Sequence, residues 1–250
     1  MKTAQGRSSR RHLKQKVSYL MRYGHAASLC KFFFCAAFLF AVALTSPSFA
    51  AGENGGAEEK TSREITIVAL GDSLTAGYLL GPSEGFADRL QAALHEAGHD
   101  NVKVLNAGVS GDTSAGGLAR LDWAVGPEAD AVIVELGAND ALRAINPDLT
   151  RKNLEEIITR LKARELPVLL AGMLAPPNLG RDYGEAFNSI YPDLASKHDL
   201  ILYPFFLEGV AGERGLNLAD GIHPTAEGID IIVASILPSV EKLIAEVKEK

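Results

Sequence analysis

The chain has 250 residues, of which 47% are hydrophobic, 7% aromatic and 22% charged. This is enough apolar material for one sizeable core, and it excludes a disordered or fibrous chain. The formal net charge of −6 hides an uneven distribution along the sequence.

Residues 1–50 hold eight of the 25 Lys and Arg residues and no Asp or Glu. An apolar run from Phe32 to Leu44 comes after the basic start and is short for a membrane span. Ser48-Phe49-Ala50 then supplies a small-x-small ending. Together these features predict a secretory signal peptide over 1–50, cleaved after Ala50. An uncleaved anchor is the competing reading, and Pro47 with its small neighbours fits a processing site better. Met1 or Met21 could open the leader, and Ser9-Arg10-Arg11 leaves a twin-arginine route open beside the general one. The remainder carries 17 basic and 31 acidic side chains, a net charge of −14. That argues against nucleic acid or an anionic membrane surface as a partner. Both cysteines, Cys30 and Cys35, lie in the leader, so no disulfide is expected in the mature chain.

Residues 51–63 are rich in Gly and Glu with little to bury, and read as a solvated linker. One domain is expected over 64–250. In it, apolar runs (Ile65–Leu70, Val102–Leu105, Ala131–Leu136, Val168–Met173, Leu200–Phe205) alternate with segments whose apolar residues recur three and four apart. These helical segments are Phe86–Ala97, Leu118–Val125, Leu149–Arg164, Tyr183–Lys197 and Gly228–Val247, with Pro238 expected to kink or divide the last. Near-continuous apolar strands alternating with helices predict an α/β fold: a parallel sheet covered on both faces.

The residues just beyond the strands are informative. The first strand runs into Gly71-Asp72-Ser73, the second into Asn106-Ala107-Gly108, the third into Gly137-Ala138-Asn139-Asp140. The C-terminal strand ends of such a sheet form one rim where ligands bind. Ser73 could be a nucleophile raised into that crevice, or the N-cap of a short helix. In Asp220-Gly221-Ile222-His223-Pro224 the acid and the imidazole lie three apart, on one side of a turn. Such a carboxylate can hold the imidazole in the tautomer that accepts a serine proton. It could equally cap backbone amides before the last helix. The Gly108 N–H and the Asn139 amide could stabilise an oxyanion, or serve as a turn glycine and an Asx-type cap. Four ordinary roles on one rim are less plausible than one active site.

Three other features receive ordinary readings. Gly81-Pro82-Ser83-Glu84-Gly85 matches the Gly-x-Ser-x-Gly nucleophile elbow but lacks the preceding strand, so Ser83 is read as a loop residue able to cap the next helix. His95, His99 and His198 are read as solvated helix-end residues and Trp123 as core. No metal or nucleotide motif is present, so no cofactor is implied.

The four blocks around Ser73, Gly108, Asn139 and His223 resemble the GDSL or SGNH hydrolase family, in order and spacing, from residue 64 to the C-terminus. The extended strings Gly71-Asp72-Ser73-Leu74-Thr75-Ala76-Gly77-Tyr78, Glu185-Ala186-Phe187 with Ile190-Tyr191-Pro192, and Asp220–Pro224 resemble its bacterial periplasmic thioesterase, arylesterase and lysophospholipase members. The resemblance implies a single-domain, three-layer α/β/α fold with a flavodoxin-like five-stranded parallel sheet. It implies a catalytic set of Ser73, Asp220 and His223, and an oxyanion hole from Ser73 N–H, Gly108 N–H and Asn139. It also implies an acyl groove bordered by Ala138, Asp140, Ala141, Leu174 and Pro176. Ala138 and Ala141 stand where related chains often have glycine, which implies a stiffer loop over Gly137–Arg143. The expected substrates are small acyl esters, thioesters or lysophospholipids, handled by an exported monomer without stable membrane insertion. A carbohydrate O-deacetylase, or a non-catalytic lipid- or carbohydrate-binding module, is the alternative.

Overall fold

A computed structural model of the chain describes residues 63–250. The leader and nearly all of the linker lie outside the described residues. The five expected strands are present as β1 (Ile65–Gly71), β2 (Val102–Gly108), β3 (Ala131–Glu135), β4 (Val168–Ala171) and β5 (Ile201–Tyr203). They form one all-parallel sheet in the order β2-β1-β3-β4-β5. Every residue of β1, β3 and β4 is buried. A strand covered on both faces has no solvent side, which is why these segments read as unbroken apolar runs.

The helices are α1 (Ser73–Ala76), α2 (Phe86–Glu96), α3 (Ser114–Ala119), α4 (Leu121–Ala124), α5 (Ala138–Leu142), α6 (Pro147–Ala163), α7 (Arg181–Asn188), α8 (Ile190–His198) and α9 (Ala226–Lys248). Helices α2 and α9 pack together on one face of the sheet, while α3, α6 and α8 pack on the other. Right-handed crossovers require this division, because the chain moves from β1 one way to β2 and then the other way through β3, β4 and β5. The long α6 shows the local logic. Asn146 caps it by accepting from Asp148 N–H, Pro147 opens it, and Thr150, Leu154, Ile157, Ile158 and Leu161 form its buried stripe.

Four expectations are corrected. The segment 118–125 is two short helices, because Arg120 between them turns inward and donates to the Gly71 carbonyl (2.8 Å) and Asp112 (2.5 Å). The segment 183–197 divides at Ser189, just ahead of Pro192, which has no N–H to donate back to Asn188. Conversely, α9 runs unbroken through Pro238, which does not divide it. Ala234, whose carbonyl loses its donor there, is exposed to water, while Ile236 and Val240 on the opposite side remain buried in the core. Finally, Trp123 is not core: it is 75% exposed on α4, and Leu121 fills the buried position instead.

The reversal of chain direction about β1 places the ends of β2, β1 and β3 side by side. Gly71 pairs with Gly108 on one side and Glu135 on the other. The three sequence blocks therefore share one level of the rim, where open α/β sheets form their binding crevice.

Candidate active site

Where β1 ends, Asp72 accepts the Leu74 N–H (3.0 Å) and caps α1. The cap is thus the aspartate and not the serine. Ser73, the first residue of the helix, keeps its hydroxyl for another partner, and its Oγ lies 2.8 Å from His223 Nε2. Two glycines make this turn possible by clearance. A Cβ on Gly71 would lie 2.0 Å from Thr75 Oγ1, and one on Gly108 would lie 2.3 Å from Ala76 N. At Gly108 backbone runs against backbone, so a side chain would force β2 away from α1, while at Gly71 it would displace the Thr75 and Glu135 side chains.

His223 comes from the loop between β5 and α9. Its Nδ1 lies 2.7 Å from Asp220 Oδ2, while Asp220 Oδ1 accepts the Ile222 and His223 N–H groups at 2.9 and 3.1 Å. Asp220 therefore makes both of the contacts considered for it: one oxygen caps the turn and the other faces the imidazole. A carboxylate is only an acceptor, so it fixes the proton on Nδ1 and leaves Nε2 to accept from the serine. The Ile222 N–H, the imidazole and the His223 N–H hold the Asp220 carboxyl down at about 2. The Tyr78 ring lies 4.5 Å from the His223 ring and limits its rotation.

Asn139 lies in the first turn of α5, not in a loop as expected for Gly137–Arg143. Its Nδ2 donates to Asp72 Oδ2 at 3.0 Å, which leaves its second amide hydrogen. The Gly108 N–H donates to Asn106 Oδ1 at 2.9 Å. Ser73 N–H belongs to the first turn of α1, whose amides have no intrahelical acceptor.

A cleft of about 530 Å³ opens beside these groups, walled mainly by apolar side chains such as Leu142, Met173, Leu174 and Phe205. Of the expected groove residues, Ala138, Ala141, Leu174 and Pro176 line it. Asp140 does not. Its buried carboxylate turns away to accept from Ser114 N–H (2.7 Å), Ser114 Oγ (2.5 Å) and Thr150 Oγ1 (3.0 Å), fastening α5 to α3 and α6. One residue past Asn139 on a helical turn, it necessarily points some 100° away from the amide.

Two acids beneath the site escape a reading of the sequence motifs. Asp72 is fully buried, and its carboxyl is pushed up to about 6 by burial, against the pull of the Leu74 N–H and Asn139. Glu135 ends β3, where its Oε2 accepts from Thr75 Oγ1 (2.8 Å) and, at 3.4 Å, from Asp72 N–H. Burial, then the charge of Asp72, pushes its carboxyl well above the carboxylate range. An acid inside the otherwise apolar run Ala131–Leu136 is the signal that could have found it.

The remaining sequence features are peripheral. Ser83 is exposed in a loop at φ 64°, and Gly85 caps α2 in its place. His99 and His198 lie at helix ends near Glu241 and Glu155, and His95 lies beside Gln91. Among the described residues, no three His, Cys, Asp or Glu side chains group to hold a metal, and no helix is long and apolar enough to cross a membrane.

A parallel α/β sheet bearing serine, histidine and carboxylate in one hydrogen-bonded chain at its C-terminal rim has the form of a serine hydrolase. The GDSL-like lipase/acylhydrolase family model matches residues 69–231. Esterase TesA of Pseudomonas aeruginosa is 41% identical over 180 residues, covering 72% of this chain and 89% of that protein. Thioesterase 1/protease 1/lysophospholipase L1 of Escherichia coli K12 is 38% identical, covering 72% and 85%. The crystal structure of AlinE4, an SGNH-hydrolase family esterase, is 45% identical with a TM-score of 0.62, covering 72% and 97%. The chain belongs to the GDSL-like lipase/acylhydrolase family, and it is an acyl hydrolase.

Proposed function

We propose that the protein is an exported esterase and thioesterase that works through an acyl-enzyme on Ser73. The observation that carries this reading is the continuous chain from Asp220 through His223 to Ser73 Oγ, with both links at 2.7–2.8 Å. His223 Nε2 takes the Ser73 proton as Oγ attacks the acyl carbonyl, and Asp220 stabilises the imidazolium that forms. Ser73 N–H, the free amide hydrogen of Asn139 and the Gly108 N–H, which would exchange Asn106 for the substrate, stabilise the tetrahedral oxyanion. The imidazolium then protonates the leaving alcohol or thiol. Water, deprotonated by His223, releases the acid.

The apolar cleft supports an acyl chain as the group bound beside Ser73. It favours acyl esters over the acetylated sugars of the alternative reading, which call for several polar groups aimed at hydroxyls. The names of the related proteins point the same way, to aryl esters, thioesters and lysophospholipids. Removal of the leader after Ala50 and delivery to the periplasm or medium complete the proposal, and N-terminal sequencing of the exported protein tests them.

The deciding experiment compares Ser73→Ala with Ser83→Ala on a chromogenic short-chain ester. Ser73→Ala is expected to lower kcat by roughly a millionfold with the fold intact, since members of such a set act as one unit. Ser83→Ala is expected to change nothing. The reverse result sinks the assignment, and a panel of acetylated sugars tests the deacetylase.

A further inference from the structure

Asn139 can stabilise an oxyanion only if its NH₂ group, and not its carbonyl oxygen, faces the reacting centre. A side-chain amide is nearly symmetric in shape, so packing alone does not choose between the two orientations. In this site one group makes the choice: Asp72 Oδ2 accepts from Asn139 Nδ2 at 3.0 Å, while Asp72 Oδ1 is tied to Leu74 N–H at 3.0 Å. An ionised carboxylate only accepts, so it excludes the flipped amide. Once protonated, Asp72 could donate to the amide oxygen and permit the flip.

We propose that Asp72 is a positioning residue: as a carboxylate it locks the Asn139 amide with its NH₂ toward the reacting carbonyl oxygen, and neutral Glu135 beneath it makes that single charge tolerable. The proposal rests on the oxyanion role given to Asn139 above. The geometry beneath Asp72 supports the assignment of charge. Glu135 Oε2 meets Asp72 only through the Asp72 N–H at 3.4 Å and is otherwise satisfied by the Thr75 hydroxyl at 2.8 Å. Its buried Oε1 has no partner among the described residues, which suits a neutral carboxyl and not a second anion. Two adjacent buried acids do not both ionise, and Asp72, with two N–H donors, takes the charge.

The other charged and titratable groups around Asp72 are few. His223 faces it from the loop before α9 and Asp112 from the segment after β2. Arg120 reaches the Gly71 carbonyl beside it, and the buried Tyr191 and Asp140 lie on the side of α8 and α5. Of these, His223 shares the requirement to be unprotonated for reaction. Loss of activity in acid should therefore include protonation of Asp72, whose carboxyl is pushed up to about 6.

Asp72→Asn provides the test, because asparagine is as good an N-cap as aspartate and keeps α1 in place. Unlike a carboxylate, it can both donate and accept, so either Asn139 orientation becomes possible. The variant is expected to lose kcat by about tenfold to a hundredfold with KM little changed, short of the roughly hundredfold to thousandfold for loss of an oxyanion donor. In acid, the slope of log kcat/KM against pH is expected to be shallower in Asp72→Asn than in the wild type, by the one proton that Asp72 no longer takes up. In an Asn139→Ala background, Asp72→Asn is expected to cost nothing further in kcat. An equal loss in both backgrounds, or an unchanged acid slope, overturns the positioning role. Activity retained by Ser73→Ala would instead overturn the underlying mechanism, so the two failures are distinguishable.

Discussion

Asp72 and Asp220 stand at opposite ends of the active site, one in the turn after β1 and one in the loop before α9, and their surroundings drive them in opposite directions. Asp220 is open to water, accepts two backbone N–H groups and the imidazole, and is held at about 2. Asp72 accepts nearly as many hydrogen bonds, yet it has no contact with solvent, and burial raises it to about 6. Hydrogen bonds alone therefore do not decide the ionisation. Access to water does. In the proposed mechanism both groups aim a second residue, Asp220 the imidazole and Asp72 the amide, but Asp220 stays a carboxylate to a much lower pH than Asp72.

The largest effect expected from breaking this comparison is at Asp220. In Asp220→Asn the amide keeps an oxygen for the backbone N–H groups but presents N–H to Nδ1, forcing the wrong histidine tautomer. A fall in kcat on the order of ten-thousandfold is expected, with the fold unchanged by circular dichroism. Next comes Asn139→Ala, for which a loss of about 3 kcal/mol in transition-state stabilisation is expected, mostly in kcat. A pure KM effect would reassign Asn139 to substrate positioning.

A smaller effect, on stability, separates the two acids by sign. Asp72 has a folded pKa above its ordinary value of 3.8. Its contribution is thus fully favourable below about pH 4 and is lost as pH rises through about 6, because the folded state must then ionise it in a dry site. Asp220, held lower than 3.8, contributes stability above about pH 4 that is lost as pH falls through about 2. Urea unfolding of Asp72→Asn against wild type should show the variant gaining by about 1–3 kcal/mol between pH 4 and pH 8. No such gain means that the Asp72 pocket is wetter than the structure indicates. With the gain, the same substitution is slower yet relatively more stable at pH 8, the usual trade between stability and activity at a functional site. The smallest effect is expected at the exposed Trp123: Trp123→Ala should change stability by under about 0.5 kcal/mol, as for an exposed side chain without a buried partner.

The contrast between the two acids also marks how much the sequence could tell. Strands β1, β3 and β4 were legible because burial on both faces favours near-continuous apolar runs, and Ala131–Glu135 stays apolar until its last position, whereas β2 and β5 are only partly buried and read less cleanly. Ser73, Gly108, Asn139 and His223 were legible as residues that lie just past strand ends or open the last helix. Asp72 was hidden in plain view, because its neighbour Ser73 accounts for the motif by itself. The aim of a side chain within one helical turn was not legible either. Asp140 and Asn139 are adjacent in sequence, and only the fold shows that one faces the cleft and the other faces Ser114 and Thr150. Helix boundaries failed where one tertiary contact decided them, as Arg120 did by turning inward to Gly71.

The exposed indole of Trp123 has a practical consequence for anyone following the folding of this protein by light. It is the single tryptophan of the chain, and at 75% exposure it is already bathed in solvent in the native state. Its emission colour should hardly shift when the chain unfolds, so a flat fluorescence trace would not mean a stable protein. The informative chromophores are the enclosed phenols of Tyr191 and Tyr203, whose near-ultraviolet dichroism should vanish as the core opens. A tryptophan placed at Phe187, buried against Tyr191 and close to Gly137 at the start of α5, would turn the same optical channel into a reporter on the core beside the candidate site.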